Sequence, residues 1–292
     1  MSKKIVFIVN PKAGTGRKKS VTEMINKEFS SYLNYEIMLW EKSFGDISHM
    51  ADKAIQSGAH IVVAVGGDGT VNAVAKALVG THAALAIIPI GSGNGLARHL
   101  QIPLDAIKSL GLIHSGREYL IDSCSVNDKS FFCTAGIGFD AHNGKMFAES
   151  KKRGFFSYIK ITLSQFISYH PEEYHLLLDN KEVKQKAFLV TFANAGQYGN
   201  NVFIAPHADI GDGVIDVCIL RPFHIWNVVG IALRLFNKTI SQSRFYERYQ
   251  GKNIVVQRAN AAPVHYDGEP AEMPAMVTVK ITPHSLRVIV PR

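Results

Sequence analysis

Nowhere in its 292 residues does this chain carry the roughly 20 consecutive apolar residues that a membrane-spanning helix requires. Any membrane contact is therefore expected to be peripheral. Cysteine is scarce: Cys124, Cys133 and Cys218 form an odd, widely spaced set in apolar, strand-like contexts, which points to reduced, buried thiols and a cytoplasmic setting. The first apolar run, Ile5–Val9, is too short for the core of a signal peptide and reads as a strand. No His-Glu-x-x-His, paired-Cys motif or Gly-x-Ser-x-Gly occurs, which sets aside zinc hydrolases and serine esterases. Charged residues are only 19% of the chain against 47% hydrophobic, so this is a globular chain with a real core. There is no internal repeat and no low-complexity segment.

What charge there is leans basic, with a formal net charge of +8. That balance suits anionic partners such as nucleotides or anionic membrane surfaces. Nucleic acid is not expected, because the basic charge is dispersed and no aromatic-basic recognition motif appears. The clusters Arg17-Lys18-Lys19 and Lys151-Lys152-Arg153 read as solvated faces.

The most informative stretch is Ile61–Thr70, Ile-Val-Val-Ala-Val-Gly-Gly-Asp-Gly-Thr. A β-branched run stops at three glycines and one aspartate, and a helical pattern follows with Val71, Val74, Ala75 and Leu78 on one face. A strand, a glycine turn and a helix start aim backbone N–H groups and a helix dipole at an anion. Asp68 would repel a bare phosphate, so it is expected to meet a metal ion, water or a hydroxyl. A loop offering both phosphate donors and an acid points to phosphoryl transfer with Mg²⁺. Thr70 is placed to cap the helix or to bond a phosphate oxygen.

Around this stretch, strands at Ile5–Val9, Tyr35–Leu39, His60–Val65 and Leu85–Ile88 alternate with helices near Lys18–Phe29, Ile47–Ser57, Val71–Leu78 and Leu104–His114. That alternation predicts a doubly wound parallel sheet with ligands at the carboxyl ends of its strands. Three glycine-bearing loops would meet there: Asn10-Pro11-Lys12-Ala13-Gly14, Gly66–Thr70, and Gly91-Ser92-Gly93-Asn94-Gly95. The first lacks Walker spacing and is not a P-loop. The third offers a backbone cradle with a hydroxyl at Ser92 and an amide at Asn94. Arg98, just beyond, reads as a surface charge.

From about Tyr119 short β segments follow one another: Leu120–Val126, Ser130–Ala135, Tyr174–Leu178, Lys186–Ala193, Val214–Leu220, Asn253–Gln257 and Val277–Ile281. Turn signals at Asn127-Asp128, Asp179-Asn180, Gly211-Asp212-Gly213 and Asp267-Gly268 separate them, so a second, mostly antiparallel β domain is expected. Two apolar helical patterns interrupt it, Phe155–Tyr169 and Phe223–Asn237, and read as core-facing; the sharper alternative is a lipid-accepting cleft or a bilayer-surface helix. Asp209-Ile210-Gly211-Asp212-Gly213 is either a solvated turn or a divalent-cation site, and is too sparse for an EF-hand. Asp267-Gly268 suits a type I′ hairpin and leaves Glu269 as a candidate base, since a kinase acting on an alcohol needs a carboxylate for the hydroxyl proton.

Taken in order, Asn10–Gly14, Gly66–Thr70, Gly91–Asn94, Gly136-Ile137-Gly138-Phe139-Asp140-Ala141 and Asp267-Gly268-Glu269 resemble the diacylglycerol kinase catalytic-domain family, which includes bacterial soluble lipid kinases and sphingosine kinases. The resemblance covers nearly the whole chain. It implies an N-terminal α/β nucleotide domain over 1–122, to which 284–292 returns, and a C-terminal β-sandwich-like lipid domain over 123–283, with a cleft between them. It implies that Gly66, Gly67, Asp68, Gly69, Thr70, Val71 and Asn72 cradle ATP phosphates, with Asn10, Pro11, Lys12, Ala13, Gly14 and the Gly91, Ser92, Gly93, Asn94 loop completing the site. Asp68 and Asp122 would serve a catalytic Mg²⁺ network, Glu269 would be the general base, and Asp209, Asp212 and Val214 would match a second, structural Mg²⁺ site. The chain departs from the pattern at Gly95, where bacterial members carry an aspartate, at Gly211, and around Glu41-Lys42-Ser43, where a threonine is absent. The third loop is closer to that of sphingosine kinases.

The expectation is an ATP- and Mg²⁺-dependent lipid kinase of phospholipid metabolism, cytoplasmic and peripheral at the membrane, acting on a diacylglycerol- or sphingosine-like alcohol. The alternatives are an NAD kinase-like phosphotransferase and a non-catalytic nucleotide-binding regulator. Oligomeric state is left open, a homodimer included.

Overall fold

The computed structural model describes residues 3–11, 13, 18–31, 34–41, 44–142, 166 and 168–292. Lys12, Gly14, Arg17, Lys42, Ser43, the basic cluster at 151–153 and most of the helix read at 155–169 lie outside the described residues. The chain forms two compact units, Met1–Asp122 with His284–Arg292, and Ser123–Pro283.

The first unit runs β1 (Ile5–Val9), α1 (Lys18–Glu28), β2 (Tyr35–Leu39), α2 (Phe44–Gln56), β3 (Ile61–Gly66), α3 (Asp68–Leu78), β4 (Ala84–Pro89), α4 (Gly95–His99), α5 (Ala106–Ser115) and β5 (Arg117–Val126), which leads into the second unit. Strand β1 pairs in parallel with β2 and β3, β3 with β4, and Arg287 and Val288 near the chain's end pair in parallel with Ala84 and Leu85 of β4. Strands β1, β3 and β4 are buried at every residue, which is why they read as unbroken apolar runs. On one face Phe7, Val63 and Ala86 pack with Val21 and Ile25 of α1, with Phe29 just beyond it, and with Leu110 and Ile113 of α5. On the other, α2 and α3 contact the sheet and bury Ile47, Ala51, Val74 and Leu78. Helices on both faces make this the doubly wound layer expected. Helix α3 starts at Asp68, three residues before apolar periodicity becomes visible at Val71, because its first turn carries only glycine and polar residues.

The second unit continues with β6 (Lys129–Phe131), β7 (Thr134–Gly138), β8 (Glu172–Leu178), β9 (Lys181–Ala187), β10 (Leu189–Ala193), β11 (Ile215–Leu220), α6 (Val228–Phe236), β12 (Tyr246–Gly251), β13 (Asn253–Gln257), β14 (Ala262–Tyr266), β15 (Glu269–Met273) and β16 (Met276–Val290). Strands β12-β11-β10-β7-β14-β15 form one antiparallel sheet, and β16-β13-β8-β9 pair antiparallel in another layer. Between the layers Ile137, Phe192, Val217 and Val264 meet Tyr174, Leu176, Val256 and Val279. The alternating burial of β8 is that of a strand with one face in a sandwich core.

Several sequence expectations change, among them the segment read at Ser130–Ala135, which is two strands, β6 and β7. The single strand read at Lys186–Ala193 is two, β9 and β10, on different sheets, because the chain changes layer at Phe188. The segments read at Val277–Ile281 and near Leu286–Val290 are one strand, β16, with a positive φ of 49° at His284 as it passes into the first unit. The helix read at Phe223–Asn237 shortens to a 3-10 turn (Ile225–Asn227) followed by α6, and it is not core-facing: Ile231 alone is buried. Among the described residues no helix is long and apolar enough to cross a membrane.

Candidate functional site

In the first unit three strand-to-helix loops are tied to one another by side chains the sequence placed in them. Asn10 Nδ2, at the end of β1, donates to Thr70 Oγ1 at 3.0 Å, in a buried contact across 60 residues. Thr70 therefore neither caps α3 nor presents its hydroxyl outward; Gly67 is the N-cap, with no side-chain cap bond. The first N–H groups of α3 have no partner within the helix and remain available to an anion. Ile90 N–H donates to the Gly66 carbonyl at 2.9 Å, which extends the β3–β4 pairing into the loops.

Asp68 departs from the expectation of an acid awaiting a cation. Its Oδ2 accepts the Asn94 N–H at 2.8 Å and its Oδ1 accepts the Gly95 N–H at 2.7 Å. The Gly95 donor is a backbone N–H that any residue but proline would supply; what Gly95 lacks is the second carboxylate of the bacterial pattern. Asn94 adopts φ 53° and clamps its own loop, accepting from Gly91 N–H at 3.1 Å and donating to the Gly91 carbonyl at 2.9 Å. Arg98, read as a surface charge, donates Nε–H to the Gly93 carbonyl at 2.9 Å and braces the same loop. The glycines are demanded by crowding: a Cβ on Gly91 would lie 2.5 Å from Gly67 Cα, and one on Gly93 would lie 2.7 Å from Asp68 Oδ2. Ser92 is exposed at the rim, and Asn72 is half-buried one turn into α3.

This donor set suits phosphate: backbone N–H groups and glycines that let an anion approach closely. It also tolerates a hydrated cation, since a carboxylate has about four lone-pair sites and the two hydrogen bonds leave others on Asp68. Asp122 is fully buried at the end of the first unit, where its Oδ1 accepts the His284 N–H at 2.6 Å and so secures the returning strand. Among the described residues no group of three or more His, Cys, Asp or Glu is arranged to hold a metal ion by side chains alone.

In the second unit Asp267 and Gly268 both have positive φ, 46° and 87°, forming the tight turn that joins β14 and β15. Glu269 is the exposed first residue of β15, paired across the turn with Tyr266. Burial, and then the Glu269 carboxylate, push the Tyr266 phenol above its ordinary pKa. Sequence reasoning explained Asp267 as a turn residue only. Its carboxylate in fact accepts three backbone N–H groups, from Phe132 at 2.7 Å, Cys133 at 2.8 Å and Thr134 at 3.0 Å. The turn bearing Glu269 is thus pinned to the β6–β7 segment. The available signal was Asp where Asn serves a type I′ turn equally well.

Asp209 Oδ1 accepts from Gly211 N–H at 3.0 Å, and Asp212 Oδ1 from Val214 N–H at 3.1 Å. Both are short-range turn bonds that shape the loop ahead of β11.

A second group went unread: Asp140, Thr191, Tyr198 and His265, drawn from four separate segments. Asp140 Oδ2 lies 3.0 Å from His265 Nε2, accepts from Thr191 Oγ1 at 3.2 Å and from Tyr198 OH at 3.3 Å, and the group packs on Gly136, where a Cβ would strike it. Among the described residues, His265 Nδ1 is buried without a partner. No local pattern announces such a cluster, because Thr191 and His265 reach it through the β7–β10 and β7–β14 pairings and Tyr198 comes from the segment after β10.

Comparison with known proteins gives the family of the two units. Residues 4–126 match the model of the diacylglycerol kinase catalytic domain, and residues 133–290 match the YegS C-terminal NAD kinase beta sandwich-like domain. The chain is 30% identical to a "Probable lipid kinase YegS-like" of Pseudomonas aeruginosa, over 86% of this chain and 83% of that one. It is 33% identical to a protein of the same name from Klebsiella pneumoniae, a match that spans only 62% of that relative's length. A "Diacylglycerol kinase" of Mycobacterium tuberculosis is 27% identical over 85% of this chain and 82% of its own. A solved diacylglycerol kinase structure from Bacillus anthracis superposes with a TM-score of 0.79 at 19% identity, covering 99% of this chain and 97% of that one, and so shares the fold. With both family models matched in order along the two units, this chain belongs to the diacylglycerol kinase catalytic-domain family.

Proposed function

We propose that this protein is an ATP- and Mg²⁺-dependent lipid kinase that transfers the γ-phosphate to the hydroxyl of a diacylglycerol- or sphingosine-like alcohol, working from the cytoplasm at a membrane surface. The observation that carries this reading is the cross-braced glycine cradle over the start of α3, held open by the Asp68 bonds to Asn94 and Gly95. In this reading the Gly66–Asn72 segment binds the ATP phosphates through backbone N–H groups, with Asn10–Gly14 and the Ser92 loop completing the nucleotide site. Glu269 takes the proton of the acceptor hydroxyl, the lipid oxygen bonds to the γ-phosphorus, and the bond to the β-bridging oxygen breaks to leave ADP. A bound Mg²⁺, held through Asp68, would offset charge on the transferring group. Asp209, Asp212 and the Val214 carbonyl would serve a separate structural cation.

Incubation with ATP, Mg²⁺ and a panel of lipid alcohols, followed by identification of the phosphorylated product, tests the proposal. Glu269→Gln should abolish lipid phosphorylation and leave nucleotide affinity nearly intact. Near-normal turnover by that variant removes Glu269 as the base. Transfer to NAD instead of lipid favours the NAD kinase-like alternative. ATP binding with no turnover on any acceptor favours a non-catalytic regulator.

A further inference from the structure

Helix α6 leaves large apolar side chains in water. Trp226 is 90% exposed, Val229 69%, Leu233 57% and Phe236 44%. They fall at i, i+3, i+7 and i+10, so they share one face across the 3-10 turn and the helix. The opposite face holds the helix down: Ile231 is buried and Leu235 packs beside it in the cluster containing Ile204, Leu220, Phe223 and Tyr246. The exposed stripe thus lies on a helix whose other face is packed through Ile231 and Leu235. Contiguous apolar surface on a well-packed element marks a place where something else docks.

The charge around the stripe identifies the partner. Arg221 through Tyr246 contains Arg221, His224, Arg234, Lys238 and Arg244 and not one Asp or Glu. Arg221 spends its Nε on Glu247 at 3.3 Å. Arg234, Lys238 and Arg244 form no ion pair among the described residues: Arg234 donates to the Thr239 carbonyl at 3.3 Å, Lys238 Nζ lies 4.4 Å from the Phe203 ring centre, and the Arg244 guanidinium lies 4.8 Å from that of Phe245. Arg234 and Arg244 also line a groove of about 410 Å³ together with Trp226, Ile231, Ser243 and Phe245. A groove edged by two guanidiniums, with hydroxyl and indole beside it, suits a phosphodiester. An apolar ridge next to unpaired cations is the pattern of a helix lying in the plane of an anionic bilayer, its indole at headgroup depth.

We propose that the Trp226–Phe236 face is the surface by which this protein docks on an anionic phospholipid bilayer, with Trp226, Val229, Leu233 and Phe236 entering the headgroup–acyl boundary and Arg234 and Arg244 taking lipid phosphates. Its use rests on the lipid-kinase reading; the docking itself does not, and it is measured without nucleotide.

The chain has two tryptophans, and the other, Trp40, is 3% exposed, so Trp226 is a built-in reporter. Phosphatidylglycerol-rich vesicles should sediment the protein and shift its emission to the blue, and lipids brominated near the headgroup should quench it. Pure phosphatidylcholine vesicles should bind far less, and added salt should release the protein. The double variant Trp226→Ala/Leu233→Ala removes only exposed side chains, so it should keep its circular dichroism and lose sedimentation by at least about tenfold. Arg234→Glu/Arg244→Glu should weaken binding by at least about tenfold and flatten its salt dependence. Unchanged vesicle binding in the Trp226/Leu233 variant overturns the proposal, and so does a Trp226 emission that stays water-like while the protein sediments. A dimer in vesicle-free sedimentation velocity that Trp226→Ala converts to monomer also overturns it, by assigning the stripe to a second copy. Loss of kinase turnover with vesicle docking intact would count against the enzymatic reading alone.

Discussion

Asp68 and Gly95 are joined across 27 residues by a 2.7 Å hydrogen bond from the Gly95 N–H to Oδ1. With the parallel bond from Asn94 to Oδ2, one carboxylate fixes the spacing of two strand-end loops. Bonds to a charged acceptor are worth about 1.5–3 kcal/mol each, and an amide cannot take both, because its nitrogen end would face an N–H. Asp68→Asn should therefore cost about 2–3 kcal/mol in urea unfolding and weaken ATP binding measured by calorimetry. Full stability with lost turnover would confine Asp68 to the chemistry.

Glycine substitutions should separate the cradle from the scaffold. Gly91→Ala has no room against Gly67 Cα at 2.5 Å or Asn94 Oδ1 at 2.9 Å, so the loops must part. Nucleotide affinity should fall by at least about tenfold, roughly the 1.4 kcal/mol that a displaced binding loop readily loses. Gly111→Ala, in α5 with nothing within 4 Å of the added Cβ, should instead stabilise by about 0.5–1 kcal/mol. Thermal melts and ATP titrations of the two variants check this contrast.

The turn at Asp267 offers a finer dissection. Asn accepts the positive φ of a type I′ turn, so Asp267→Asn keeps the turn and weakens only its anchor to Phe132, Cys133 and Thr134. Stability should drop by about 1–3 kcal/mol, and turnover should fall while ATP affinity holds. Glu269→Gln, at an exposed site, should instead leave stability unchanged. Equal melting temperatures for the wild type and Asp267→Asn would show that the three N–H bonds hold nothing.

Cys218 gives a pH prediction. Burial pushes its thiol up to about 12. In the unfolded chain a thiol ionises near about 8.5. A folded pKa above the unfolded one means that the contribution to stability is complete below the unfolded value and fades as pH rises towards about 12. At pH near 8 a thiol reagent should label none of the three buried cysteines in the native protein and all three in guanidinium. Rapid native labelling would contradict the burial.

Much of the fold is legible because β1, β3 and β4 are buried at both faces, so Ile61–Val65 and Leu85–Ile88 appear as plain apolar runs with glycine-bearing loops beyond them. The turns at Asn127-Asp128 and Asp179-Asn180 were visible for the same local reason: both first residues adopt the positive φ that such residues favour. What could not be read depends on partners far along the chain. The split of β9 from β10 follows from a change of layer at Phe188, which leaves no mark in composition. The exposure of α6 follows from how little of it the sandwich covers, although its residues are as apolar as a core helix. The loops around Asp68 were found individually, but not that Asp68 grips the third of them. The Asp140–His265 group needs four segments at once, beyond any window of sequence.

The two crossings, in β5 after Asp122 and in β16 after Pro283, make the second unit an insertion within the first. On the ribosome, β4 leaves the exit tunnel with one edge bare, and its partners Arg287 and Val288 arrive only after the whole sandwich has been synthesised. The first unit's sheet thus waits, incomplete, for a strand encoded after the whole of the second unit. The sandwich must form while that open edge is exposed, which makes β4 the place where premature pairing with another chain would derail folding.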